Sequence, residues 1–197
     1  GAGPAGVALG RALAERGCSV ICVAADPVAP WKPRYGAWAD EVAELGLDST
    51  IERTYKTAKL TTTGGTHVVD TGYVRFSTQR LQEHLQSEAT REGVMWWAAQ
   101  IESVKHEGIE SILTSTGGAE IRAHIVVDAT GAARGFAEST KGPSPGYQTA
   151  YGELIVAPGH PFRTDEAVVM DYSVPHDDGT CPTFLYALPI DADTVFL

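Results

Sequence analysis

Gly1-Ala2-Gly3-Pro4-Ala5-Gly6 opens the chain and sets its fold. These residues fit G-x-G-x-x-G, in which glycines let the backbone turn tightly and approach a pyrophosphate while the following helix points free N–H groups at the anion. What comes next gives the pattern weight. Val7, Leu9, Leu13 and Ala14 continue at helical spacing, Gly17 supplies a C-terminal stop, and Ser19-Val20-Ile21-Cys22-Val23 reads as a strand. Turn, helix, glycine and apolar strand in this order predict dinucleotide binding. An acid that would hold the adenosine ribose is expected about 20 residues beyond the glycines, where this chain has Ala24. Asp26 lies two residues on and either reaches the ribose through a bent loop or, with Pro27 behind it, makes a plain turn.

Working outward, residues 27–76 read as loop-rich, with prolines and glycines punctuating short apolar pieces. Trp31, Tyr35 and Trp38 within them are either loop packing or a wall of a ligand pocket. Ser77 can cap a helix with Leu81, Leu85 and Ala89 on one face and Gly93 at its end. Arg75 and Arg80, near its start, are either solvated charges or phosphate or ribose contacts. The periodicity then falls toward two: Val94–Ala98, Ile101–His106, Ile109–Ser115 and Ala119–Arg122 read as a β-meander turned by Glu107-Gly108 and Gly117-Gly118. Ile125-Val126-Val127-Asp128-Ala129-Thr130-Gly131 reads as a buried strand with a small-residue end that can pass beside a bound dinucleotide. Past Gly131, prolines break the chain into short strands, the entry to a second, largely β domain.

Composition narrows the partners. Asp+Glu at 25 against Lys+Arg at 15 gives a net charge of −10, which disfavours wrapping nucleic acid or gripping an anionic membrane by bulk electrostatics. Cys18, Cys22 and Cys181 are odd in number and lack CxxC spacing, so they read as buried small apolar residues and not as a disulfide framework or zinc site. The histidines lack metal-ligand spacing. No apolar run approaches the roughly 20 residues of a membrane-spanning helix. Residue 1 is already the first glycine of a turn that needs a strand before it, and Thr194-Val195-Phe196-Leu197 is a β-type stretch with no turn after it. The sequence therefore reads as a fragment.

In order, GAGPAG, PWKPRYGAWADE at 30–41, YVRFSTQRL at 73–81, VDATG at 127–131, PGYQTAYG at 145–152, MDY at 170–172 and PTFLYALP at 182–189 closely resemble the lycopene cyclases of the plant and cyanobacterial type. The resemblance covers essentially the whole chain. It implies an α/β fold: an FAD-binding Rossmann-like domain with a β-meander over residues 1–135, lacking its first strand, and part of a β-rich substrate domain over 136–197. It further implies FAD in its reduced form with NADPH as reductant, a lycopene-like acyclic carotenoid as substrate, and peripheral membrane contact. Gly1, Ala2, Gly3, Pro4, Ala5, Gly6, Asp26, Arg80, Ile101, Ala129 and Gly131 become the expected cofactor contacts. In the family, the strand matching PTFLYALP and VFL runs into a Phe-Leu-Glu-Glu-Thr segment bearing the main acid, so this chain alone is expected to be inactive. The sequence departs from the family at Ala24, at Lys32-Pro33-Arg34 and at Ser77-Thr78.

Ring closure of an isoprenoid end needs a proton donor, a dry cation-stabilising pocket and loss of a proton. Asp171 is the first candidate for an accessory catalytic role and Glu153 the second, each alternatively a turn cap or surface partner. Tyr147, Tyr151, Tyr172, Phe184 and Tyr186 either line a substrate path or form core. Two rivals remain on the same fold: a flavin monooxygenase or isoprenoid reductase, which would show net NADPH consumption, and a flavin-binding piece without turnover.

Overall fold

Pro4 starts the first helix, α1 (Pro4–Ala14), at a position whose N–H would lack an intrahelical acceptor in any case. Gly17, at φ 83°, closes the other end: its N–H donates to Ala14 O at 2.8 Å and the Cys18 N–H donates to Leu13 O at 3.1 Å. Val7 is the side chain α1 buries, whereas Leu9, expected on the apolar face, is exposed. The computed structural model describes residues 1–133, 135–136, 146–173 and 182–197. Pro145, His176 and Cys181 lie outside the described residues.

After α1 come β1 (Ile21–Ala24), β2 (Gly36–Trp38), α2 (Ala39–Ala43), β3 (Ile51–Tyr55), β4 (Thr57–Thr62), β5 (Gly65–Val69), β6 (Tyr73–Phe76) and α3 (Thr78–Arg91). The remaining strands are β7 (Met95–Ala98), β8 (Ile101–Glu107), β9 (Glu110–Ser115), β10 (Glu120–Ala123), β11 (Leu154–Val156), β12 (Glu166–Asp171), β13 (Leu185–Pro189) and β14 (Thr194–Phe196). Residues 33–76, read as loop-rich, thus hold five strands. The threonine-rich, half-exposed pattern of β4 hid it, since β4 buries only Ala58 fully and offers no clean apolar alternation.

The chain divides into two compact units, each built from two stretches: residues 1–32 with 81–145, and residues 33–80 with 146–197. A single contiguous boundary at residue 135 is therefore not how the chain partitions. The strands before Arg80 join the later β segment because β4 pairs in parallel with β12, from Glu166↔Thr57 to Asp171↔Thr61.

In the first unit β1 and β7 pair in parallel, Ile21 beside Met95 through Ala24 beside Ala98. Helix α3 buries Leu81, Leu85 and Ala89, the face expected from their spacing. Its cap is also as expected, with Ser77 Oγ accepting the Arg80 N–H at 3.4 Å and Gly93 ending the helix at φ 92°. Strands β8, β9 and β10 form the antiparallel meander. The segment Ile125–Val127 is not the buried strand the sequence suggests: Ile125 is 81% and Val127 50% exposed. A strand exists through its hydrogen-bonded neighbour, and no strand among the described residues pairs with this one.

The second unit holds a six-stranded sheet, ordered β11-β14-β13-β12-β4-β5, and a three-stranded sheet, ordered β2-β6-β3. Tyr55, Ala58, Ala167 and Leu188 form one core cluster, flanked by Trp38, Tyr73, Tyr186 and Phe196. Val168, Ala187 and Val195 form another, with Ile155 and Phe162 against it. Adjacent residues such as Ala167 and Val168 fall in different clusters, as the two-residue period of a strand requires.

Candidate functional site

The glycine turn is held by close backbone packing. A Cβ on Gly1 would lie 2.1 Å from Ala129 O, and one on Gly6 would lie 2.1 Å from Gly1 O and 3.2 Å from Ala129 Cβ. Gly1, Gly6 and Ala129, three of the expected cofactor contacts, are thereby brought together. Gly3 differs, because nothing lies within 4 Å of the Cβ it lacks. It caps α1 at φ −77° with no side-chain capping bond, and the first turn carries no acidic residue. The N–H groups of a helix's first turn lack intrahelical acceptors, and here no acidic residue of that turn and no atom beside the Gly3 Cβ position competes for a pyrophosphate. The residues fit a dinucleotide on this ground.

Three side chains brace the turn from behind. Cys22 Sγ donates to Gly1 O at 3.5 Å, and burial pushes its thiol pKa up so that it stays neutral. The Trp31 indole N–H donates to Ala2 O at 2.9 Å. Gln82, buried in α3, accepts the Trp31 backbone N–H at 3.0 Å and donates to Ala29 O at 2.9 Å. Trp31 is thus tied to the glycine turn by a hydrogen bond, and Cys22 is buried as expected while Cys18 is exposed.

Ala129 and Gly131 lie in a loop organised by Asp128. Its Oδ1 accepts the Thr130 hydroxyl at 2.6 Å and N–H at 3.0 Å, and its Oδ2 accepts the Phe136 N–H at 3.1 Å. The Thr130 hydroxyl first, then the two N–H groups, hold the Asp128 carboxyl below its ordinary range. Sequence reading passed over this residue as the end of a strand; an Asp two positions before a Thr, ahead of a glycine at φ 70°, is the turn signal that would have found it.

Asp26 Oδ1 accepts the Val28 N–H at 3.1 Å, a turn-type bond. It borders an open cavity of about 790 Å³ lined by Val28, Gln86, Thr90, Trp96 and Ala98. That cavity adjoins the C-terminal ends of β1 and β7, where ligands of open parallel sheets bind. Arg80 is spent on backbone, donating to Ser49 O at 3.1 Å and Ile51 O at 3.0 Å. Ile101 opens β8 opposite Ser115. Arg75 is not a solvated charge: it is 6% exposed, 3.4 Å from Glu52 and stacked over Phe196 at 5.3 Å.

In the second unit, Asp171 ends β12. Ser173, through its hydroxyl and then its N–H, at 2.9 Å from Oδ1, lowers the Asp171 pKa, with Lys59 adding a smaller pull. Glu153 accepts the Tyr151 hydroxyl and pairs backbone with Leu197. Tyr186 donates to Tyr73 Oη at 3.2 Å inside the core, whereas Tyr147 and Tyr151 are exposed and Tyr172 packs on Phe184 at 5.3 Å.

The family model described as lycopene cyclase protein matches residues 1–197. The chain belongs to the lycopene cyclase family. Among its relatives, the chloroplastic neoxanthin synthase of Solanum lycopersicum is 35% identical over 207 residues, covering 100% of this chain and 42% of that protein. The chloroplastic lycopene beta cyclase of Arabidopsis thaliana is 32% identical, covering 100% of the chain and 41% of that protein. The chain spans about two fifths of the length of these curated relatives. Among solved structures, the flavin-dependent brominase Bmp2 superposes over 100% of the chain and 53% of its own at a TM-score of 0.64 and 14% identity. At that identity the likeness is one of fold, the Rossmann-type fold of flavin-dependent enzymes.

Proposed function

We propose that the intact protein closes an acyclic end of lycopene or a related carotenoid into a ring, using FAD in its reduced form with NADPH as reductant. The lycopene cyclase family match over residues 1–197 carries this reading. The uncapped α1 N-terminus at Gly3 supports its flavin component. The reaction is an isomerisation. Its substrate resides in lipid, so the proposal includes peripheral contact with a membrane; no helix among the described residues is long and apolar enough to cross one.

Bound flavin, anionic when reduced and deprotonated, would supply negative charge beside a developing carbocation without net electron transfer. The chain's own residues hold it. N–H groups of the first turn of α1 would take the pyrophosphate, Gly1 and Gly6 keep the turn against Ala129, and Asp128 keeps the loop carrying Ala129 and Gly131 in shape. Asp171, held low by Ser173, stays a carboxylate at neutral pH. It suits countercharge or proton acceptance; a donor to a double bond requires a carboxyl kept protonated by an apolar site.

The test is expression of the intact protein in a lycopene-accumulating bacterial host, with carotenoids separated and identified by absorption and mass. A ring-containing isomer of unchanged mass is expected. Unaltered lycopene beside well-expressed, FAD-loaded protein would overturn the proposal, and a hydroxylated or saturated product with matching NADPH consumption would replace it with redox chemistry.

A further inference from the structure

We infer that Trp31 and Gln82 are positioning residues for the pyrophosphate turn, acting as one latch; the inference rests on the FAD reading above. Gln82 is 7% exposed and holds the segment before it at two points, accepting the Trp31 N–H and donating to Ala29 O. Its amide has one orientation that works, because a backbone N–H can only donate and a carbonyl can only accept. Gln86, one helical turn on, adds a third point by donating to Pro27 O at 2.7 Å. The α3 face thus fixes residues 27–31, and with them the indole of Trp31.

The indole N–H is a donor only, and it spends itself on Ala2 O at 2.9 Å. The Ala2 carbonyl and the Gly3 N–H belong to one planar trans peptide and point in opposite directions. Holding Ala2 O toward Trp31 therefore aims the Gly3 N–H away from Trp31, and Gly3 is the residue with nothing within 4 Å of the Cβ it lacks. The dinucleotide then meets donors already oriented and does not have to order them on binding. In the sequence, Trp31 and Gln82 are 51 residues apart, and no local motif links them.

Trp31→Phe keeps the ring and deletes the donor; Gln82→Met keeps the bulk and deletes the clamp. FAD and riboflavin are titrated into the intact protein by flavin fluorescence. Each single variant is expected to weaken FAD about five- to tenfold, the scale of one hydrogen bond, and the double variant no more than either single one, since both act through the same contact. Riboflavin, which has no pyrophosphate, is expected to bind all four proteins alike. FAD affinity within twofold of wild type in Trp31→Phe, additive losses in the double variant, or equal losses for riboflavin and FAD would each overturn the latch. Wild-type protein that binds no FAD overturns the flavin reading and the latch together.

Discussion

Two glycines in the same turn should fail in opposite ways. Gly3→Ala places a methyl where nothing lies within 4 Å, at φ −77°, a conformation any residue adopts. The apo protein should tolerate it, at the cost of under about 1 kcal/mol expected for alanine at an N-cap. Bound pyrophosphate, however, has to retreat from the methyl, and weakening one charge-assisted hydrogen bond costs about 1.5–3 kcal/mol, or roughly ten- to a hundredfold in affinity. Gly6→Ala puts its methyl 2.1 Å from Gly1 O, where ordinary contact begins at 3.4 Å. The atom in the way is backbone, so the turn itself has to open by more than an ångström, an overpacking cost of about 1–3 kcal/mol before any ligand is considered. Thermal melting of the apo protein and FAD titration separate the two: Gly3→Ala should melt close to wild type and bind poorly, and Gly6→Ala should melt lower by about 2–12 °C. Wild-type FAD affinity in Gly3→Ala would refute the placement of the pyrophosphate over Gly3, and a wild-type melting point in Gly6→Ala would refute the packing of Gly6 on Gly1.

Gly36→Ala is expected to destabilise by about 1–3 kcal/mol, because its Cβ would lie 2.4 Å from Tyr73 Oη and 2.7 Å from the ring, displacing the side chain that holds Tyr186 and the edge of Trp38; denaturant unfolding checks it. Tyr55 is fully buried, donates to Pro189 O at 3.0 Å, and has its pKa pushed up to about 12, chiefly by burial. Against an unfolded value near 10, its neutral phenol stabilises the fold below about pH 10, and that share is lost as pH rises through about 12. Absorbance titration at alkaline pH should therefore show Tyr55 ionising only as circular dichroism reports unfolding, whereas ionisation of all seven tyrosines in a native-like protein would count against the buried hydrogen bond.

The first unit was readable because its signals are local. Pro4, Gly17 and Gly93 act on their own turns, and the meander is written in its Glu107-Gly108 and Gly117-Gly118 turns and alternating residues, though Ile125–Val127 of the same unit misled. The second unit was not, because β4 takes its place in the sheet from β12, a strand about a hundred residues away, and β5, among the described residues, pairs only with β4. Their threonines satisfy a ladder without advertising one. At the site the same division holds. The glycines and Ala129 were legible from the motif, whereas the braces Trp31 and Gln82 became visible only when α3 and residues 27–31 were seen side by side. Asp26 makes a bond to Val28 that either sequence alternative allowed.

Electrostatics then sorts the aromatic residues of the second unit for the proposed chemistry. Arg75 lies over the Phe196 ring at 5.3 Å, nearly buried, with Glu52 at 3.4 Å as its carboxylate. The guanidinium takes one face of the Phe196 ring, and a second cation cannot share that face. Tyr186 meets the edge of Phe196 and gives its hydroxyl to Tyr73, which in turn meets Trp38. Tyr186, Phe196, Tyr73 and Trp38 thus form one connected set of contacts that includes the Arg75–Phe196 pair. Tyr147 and Tyr151, exposed, and the Tyr172–Phe184 pair, beside the carboxylate-bearing end of β12, are the aromatic residues of the unit outside that cluster that the sequence had already nominated. Asp171 supplies negative charge at that end, held ionised by Ser173. Under the proposed function, the Asp171 end of the six-stranded sheet is the place to seek cation stabilisation, while the Arg75–Phe196 contact links β6 of the smaller sheet to β14.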